Sequence, residues 1–306
     1  MTRDQLEEAL HINPETVAEN LERSLRECME VMNRDRIVFG LSGGIDSAVV
    51  AWLARRVLNG DKILALIMPD REGEKRHIRD AIDLARQLGI RYRLIHLDRY
   101  LEGANVRFPV PFIGYKLKSR LVKIFYRKLQ RRTGETPFQT ILKGSVKDSF
   151  SSYLNKGIAN YRFKHRLRLT FLYQAAEETH ALAVGAANKT EYMTGFFVKF
   201  GIDHHADIMP LLNLYKTQIY ELASWLGMPG HLINKAPSPD MIPGVTDEFA
   251  LELPYRELDL LLYALENAIT PGGDLAAKMA YVQTLYSRSR HMRKMWVPDS
   301  YGRIRH

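Results

Sequence analysis

The chain has 306 residues, 46% of them hydrophobic and 26% charged, with a formal net charge of +9 and a single cysteine. That length and balance suit one large globular domain, residues 1–306, and no apolar run approaches the roughly 20 residues of a membrane span. One cysteine excludes an intrachain disulfide framework and the first residues lack the apolar core of a secretory signal, so the expectation is a cytoplasmic protein.

Asn13-Pro14 reads as an N-cap with Pro at the first helical position. Val17, Leu21, Leu25, Cys28 and Met32 then mark one apolar face of a long helix, which makes Cys28 a packing residue. The apolar run 36–39 predicts a strand and 48–58 an amphipathic helix. Between them lies Gly40-Leu41-Ser42-Gly43-Gly44-Ile45-Asp46-Ser47. A strand, tight loop and helix in this order build an anion site at a helix N-terminus, where glycines let backbone N–H groups face a phosphate. No Gly-Lys-Ser/Thr closes the loop, so it is not the common P-loop. Ser42 and Ser47 add hydroxyls. The Asp46 carboxylate beside bound phosphate requires a cation between them, which implies Mg²⁺.

Further along, 62–68 reads as a strand, 74–88 as a helix capped by Gly89, and 92–97 as a strand, giving βαβαβ and an open, doubly wound parallel sheet flanked by helices. Residues 99–150 break the alternation and read as an insertion. Within them, 107–132 hold nine Lys or Arg and no acid, with apolar residues at helical spacing. A basic amphipathic surface helix packing on its own domain or on a partner is the favoured reading, ahead of a nucleic-acid or membrane-surface site. Helical periodicity resumes over 161–178, a strand follows at 181–184, and 216–226 forms a helix stopped by Gly227 and Pro229. Residues 235–247, with three prolines, are loop. Residues 265–306 read as a C-terminal helical tail.

Glu191 follows the strand 181–184 by a short loop, at the carboxyl edge of the sheet where such folds bind ligands, and is placed to share a metal with Asp46 or hold a second one. Lys199 and Lys216 would neutralise phosphate charge, Arg166 would clamp a carboxylate or phosphate, and Asp207 would accept hydrogen bonds from a polar substrate group.

The glycine-rich octet resembles the SGGxDS signature of the ATP pyrophosphatases, which split ATP between its α and β phosphates. The stretch from Asn188 through Thr194-Gly195-Phe196-Phe197-Val198-Lys199 to Asp207-Ile208-Met209-Pro210 and Lys216 closely resembles the ammonia-dependent NAD synthetases. So do Lys235-Ala236-Pro237-Ser238-Pro239-Asp240 and Thr246-Asp247-Glu248. The resemblance covers about 36–260 and is poorest over 99–150. It implies a Rossmann-like ATP pyrophosphatase fold and a homodimer with substrate across the interface. It places ATP on the octet (Gly40, Leu41, Ser42, Gly43, Gly44, Ile45, Asp46, Ser47), Met68, position 186, Lys216 and Ser238, and Mg²⁺ on Asp46 and Glu191. Deamido-NAD falls to Arg166, Lys199, Asp207 and His291. The expected reaction is adenylation of the nicotinate carboxylate followed by attack of ammonia, with Asp46, Glu191 and Lys216 as the catalytic set.

Three departures stand out. Ala186 replaces a threonine that touches ATP, Met292 takes the place of a substrate-binding lysine beside His291, and Gly201-Ile202-Asp203-His204-His205 is one residue longer than the family's turn. His204 and His205 are expected to be exposed bystanders. Rival readings are amidation of a different carboxylic acid, a tRNA-modifying adenylase, and a basic binding protein without catalysis. The last leaves the motif residues unexplained.

Overall fold

The computed structural model describes residues 1–106, 120, 123–124, 126–128, 130–132, 134–142, 149–237 and 245–295, with only the backbone described at 141 and 149–154. Four strands, β1 (Arg36–Gly40), β2 (Ile63–Ile67), β3 (Arg91–Leu94) and β4 (Ala181–Val184), form one sheet in the order β3-β2-β1-β4. All pairings are parallel, with Val38 facing Leu64 on one side and Ala183 on the other. The central strand β1 reads as an unbroken apolar run because both of its faces are covered.

Chain direction across the sheet reverses between β1 and β4. Crossovers from β1 to β3 use α3 (Ile45–Val57) and α4 (Lys75–Gln87). The return to β4 uses α7 (Ser149–Thr179). Ile37 and Phe39 of β1 join the core built by α2 (Pro14–Val31), α3, α4 and α9 (Lys216–Trp225). On the opposite face, Val38 and Leu66 pack against Leu172, Ala175 and Ala176 of α7. The sheet is therefore doubly wound, as its periodicity predicts, and the carboxyl ends of β1 and β4 flank a topological switch point where ligands bind in such folds.

Element boundaries follow local chemistry. Asn13 caps α2 by accepting the Thr16 N–H at 3.0 Å, with Pro14 at N1. Cys28 is partly buried against the first core, as expected of a packing residue. Helix α7 begins at Ser149, well before the start that periodicity suggests, so the upper end of the 99–150 segment merges into it. Two short helices precede α7: α5 (Asp98–Gly103) and α6 (Pro137–Leu142). Most of the basic stretch 107–132 lies outside the described residues. Its described part is helical and seats Tyr126 on Phe249, ring centroids 4.9 Å apart, with the phenol donating to Ala250 O at 3.1 Å.

A second apolar core joins α1 (Arg3–Leu10), α12 (Tyr255–Glu266) and α13 (Asp274–Arg288). Residues of α8 (Lys189–Thr194) pack into it too, as does Met292 of α14 (Arg290–Arg293), so the described part of the C-terminal segment is packed structure. Between α9 and α12 lie the short α10 (Gly230–Ile233) and α11 (Asp247–Leu251). Each fully buried Leu in such a core contributes on the order of 2 kcal/mol. Among the described residues, no helix is long and apolar enough to cross a membrane.

Candidate active site

A cleft of about 240 Å³ opens at the carboxyl ends of β1, β2 and β4. The octet from Gly40 forms one wall, Met68 to Asp70 another, and Gly185 to Ala187 with Glu191 a third, while Lys216, Lys235 and Asp247 close it.

The octet is held by its own side chains. Ser47 Oγ donates to Gly44 O at 3.0 Å and accepts the Ser42 N–H at 3.2 Å, and Gly44 N–H donates to Ser42 Oγ at 3.2 Å. Gly43 has φ +77°, and a Cβ there would lie 2.4 Å from the carbonyl oxygen of His77, so only glycine fits. Gly44 is the N-cap of α3 and supplies no capping side chain, which leaves the first-turn amides facing the cleft as an anion cradle.

Asp46, in the first turn of α3, accepts Lys216 Nζ at 2.5 Å on one oxygen and Asn188 Nδ2 at 3.1 Å on the other. Asn188 also caps α8, accepting the Glu191 N–H at 2.9 Å in a capping box whose second partner is the Glu191 carboxylate. Glu191 Oε1 lies 3.9 Å from Lys216 Nζ. Lys216, 1% exposed, stands at the start of α9 with the face of Tyr255 5.4 Å away. Asp247 accepts the Tyr255 hydroxyl at 2.9 Å, and its other oxygen is buried without a hydrogen-bond partner among the described residues.

Three carboxylates thus surround one ammonium, and their titration reflects the imbalance. Burial and the neighbouring Asp46 raise the Glu191 pKa well above the usual carboxylate value, with Lys216 opposing. Burial pushes Asp247 up to about 6. Burial alone would lower the Lys216 pKa, but Asp46, Glu191 and Asp247 outweigh it and raise it. A divalent cation would offset the excess negative charge, and the orphaned Asp247 oxygen marks the same deficit. The residues present therefore fit Mg²⁺. No three His, Cys, Asp or Glu among the described residues form a metal-holding cluster, so such an ion would take one or two carboxylates and complete its shell from phosphate and water.

Asp46, Glu191, Lys216, Met68 and Ala186 converge on the cleft with most of the octet. The other expected substrate residues lie elsewhere. Lys199 Nζ donates to the backbone oxygens of His291 at 2.8 Å and Lys294 at 2.5 Å, and the Arg166 guanidinium donates to Lys199 O at 3.3 Å. Arg166, Lys199 and His291 thus form a separate group outside the cleft lining. Asp207 is tied into the fold, accepting the Ala183 N–H at 2.9 Å and the Tyr173 hydroxyl at 3.1 Å. Ser238 lies outside the described residues.

The histidine pair departs from expectation. His204 is half-buried, stacked on Phe197 at 4.0 Å and on Tyr192 at 5.5 Å between centroids, and its Nδ1 lies 2.9 Å from that of His205. The aromatic neighbours, distant in their contribution from local polarity, draw the ring in. Sequence reasoning gave no site role to Asn188 or Lys235, although both stand in its motifs, and it passed over Tyr255. Asn188-x-x-Glu191 is a legible capping box, whereas the motif that begins at Lys235 does not tell that the lysine Nζ donates to Gly43 O at 3.0 Å and to Asp80 at 2.7 Å.

The model of the family described as NAD synthase matches residues 17–109 and 115–296, breaking within the basic segment only at 110–114. The NH(3)-dependent NAD(+) synthetase of Thermotoga neapolitana is 38% identical over 291 residues, spanning 94% of this chain and 97% of that protein. That of Archaeoglobus fulgidus is 32% identical over 285 residues, spanning 93% and 96%. Among solved structures, NMN synthetase from Francisella tularensis superposes with a TM-score of 0.70 at 26% identity, covering 95% of this chain and 100% of that one. NH3-dependent NAD synthetase from Campylobacter jejuni shares the fold at TM-score 0.62 and 22% identity, covering 93% and 98%.

Proposed function

Because the chain belongs to the NAD synthase family, we propose that it amidates deamido-NAD with ammonia, consuming ATP and releasing NAD, AMP and pyrophosphate. One observation carries this reading: the Asp46–Lys216–Glu191 cluster abuts the uncapped N-terminus of α3, where a triphosphate would lie. The nicotinate carboxylate attacks the α-phosphorus, the bond to the β-phosphate breaks, and ammonia then displaces AMP from the acyl-adenylate. The amides of residues 43–47 receive the departing pyrophosphate, and Lys216 neutralises charge that develops on the phosphates. Asp46 and Glu191 would hold Mg²⁺, which supplies Lewis-acid stabilisation of phosphate charge when bound. Arg166, Lys199 and His291 form the dinucleotide-recognition group. Their place outside the cleft suits a substrate that extends beyond the ATP site, and a homodimer in the cytoplasm completes the proposal.

The likeness to NMN synthetase makes the corresponding mononucleotide acid the competing acceptor. The test incubates purified protein with ATP, Mg²⁺, ammonium and either acid, and follows AMP and the amide by chromatography. Equimolar AMP and NAD from deamido-NAD is the expected result. Amide from the mononucleotide alone, or from neither acid, would overturn it.

A further inference from the structure

Glu191 sits in a helix of six residues, Lys189–Thr194, too short to hold its own geometry. Its separation from Lys216 must therefore be set by links to other elements. Asn188 supplies one link, between Asp46 and the Glu191 N–H. A second runs behind it. The Thr190 hydroxyl donates to Asp259 Oδ1 at 2.5 Å and accepts the Lys216 N–H at 2.9 Å, while Asp259 Oδ2 accepts the Thr217 N–H at 2.8 Å. Thr194 Oγ fastens the same turn by donating to Thr190 O at 2.7 Å. Asp259 is 0% exposed on α12, and Thr190 is equally buried.

One carboxylate from the second core thus grips the residue before Glu191 and the residue after Lys216. We propose that Asp259 and Thr190 are positioning residues that fix the Glu191–Lys216 spacing in the ATP site; this rests on the reading given above. The polarity of the relay is determined. The single hydroxyl proton of Thr190 goes to Asp259, so its lone pairs face the Lys216 amide, and a carboxylate is the group at 259 that accepts from both donors at once. Neither residue lines the cleft, so loss of the relay should act through placement and leave the affinity for deamido-NAD nearly untouched.

The test compares Thr190→Val, which keeps the shape and removes the hydroxyl, with Thr190→Ser, which restores it, and with Asp259→Asn. A displacement near 1 Å at a reacting group lowers the rate by about 100-fold, so Thr190→Val should lose roughly that factor in kcat with KM for deamido-NAD within about twofold of wild type. Thr190→Ser should stay within about threefold of wild type, and Asp259→Asn should fall between the two. A folded Thr190→Val with wild-type kcat, or a Thr190→Ser as impaired as Thr190→Val, would overturn the relay. Binding of Mn²⁺ in the presence of ATP, followed by electron paramagnetic resonance, gives a readout independent of the acceptor. The same ranking of affinities supports the relay even where no acid is amidated, and equal affinities in wild type and Thr190→Val refute it.

Discussion

The ammonium of Lys216 lies 2.5 Å from Asp46, joining the first turn of α9 to the first turn of α3 across 170 residues of sequence. The pair is buried on the lysine side and faces the cleft on the other, with Glu191 3.9 Å away. An ammonium at a helix N-terminus opposes the helix dipole, and the surrounding carboxylates are what make it tolerable. In the free protein Lys216 balances part of the carboxylate charge that a bound Mg²⁺ would offset.

Removing that ammonium should expose the imbalance. Lys216→Met keeps the length of the side chain but leaves Asp46, Glu191 and Asp247 without their cation, a loss on the order of 3 kcal/mol for a buried pair broken on one side. Turnover should disappear. Thermal unfolding with and without Mg²⁺ is the check: the ion should restore part of the lost stability in this variant and add less to the wild type.

Asp46→Asn and Glu191→Gln each remove one carboxylate without changing its shape. Both should abolish AMP formation while the circular dichroism spectrum stays that of the wild type. Normal turnover in either variant would remove it from the metal set.

Gly43→Ala tests the cradle. Its φ of +77° and the 2.4 Å approach of the added carbon to the His77 carbonyl oblige the loop to move. The expected cost is about 1–3 kcal/mol of stability. ATP affinity, measured by calorimetry, should fall because the amides of the next turn no longer converge.

His204 predicts an acid sensitivity. Burial, then the neighbouring His205 and Lys199, lower its pKa from the ordinary 6.5 to about 4. The unfolded chain therefore binds a proton between these values that the folded chain refuses, so stability falls as pH drops from about 6.5 to about 4. His204→Phe keeps the stack on Phe197 and Tyr192 and removes the titration. Urea unfolding across that range should show a smaller loss in the variant than in the wild type.

How much of this was legible in the sequence depends on how local each signal is. The strand–loop–helix around Gly40 to Ser47, the Asn13-Pro14 cap, the doubly wound alternation and the cleft positions of Asp46, Glu191 and Lys216 all follow from spacing, glycine placement and motif. One boundary slipped: α7 reaches back to Ser149, well before its periodic stretch. The partners were not legible. Nothing within ten residues of Lys216 says that its ammonium rests on Asp46, or that Asp259 of the second core anchors Thr190 and Thr217. Nor does sequence say that Lys199 turns to the His291 carbonyl or that His204 enters an aromatic stack. Backbone conformation and amphipathic faces are written at separations of two to four residues, so the sequence alone decides them. Which charges meet is settled only when burial brings distant segments into a medium where an unpaired charge is costly, and that is a property of the folded chain.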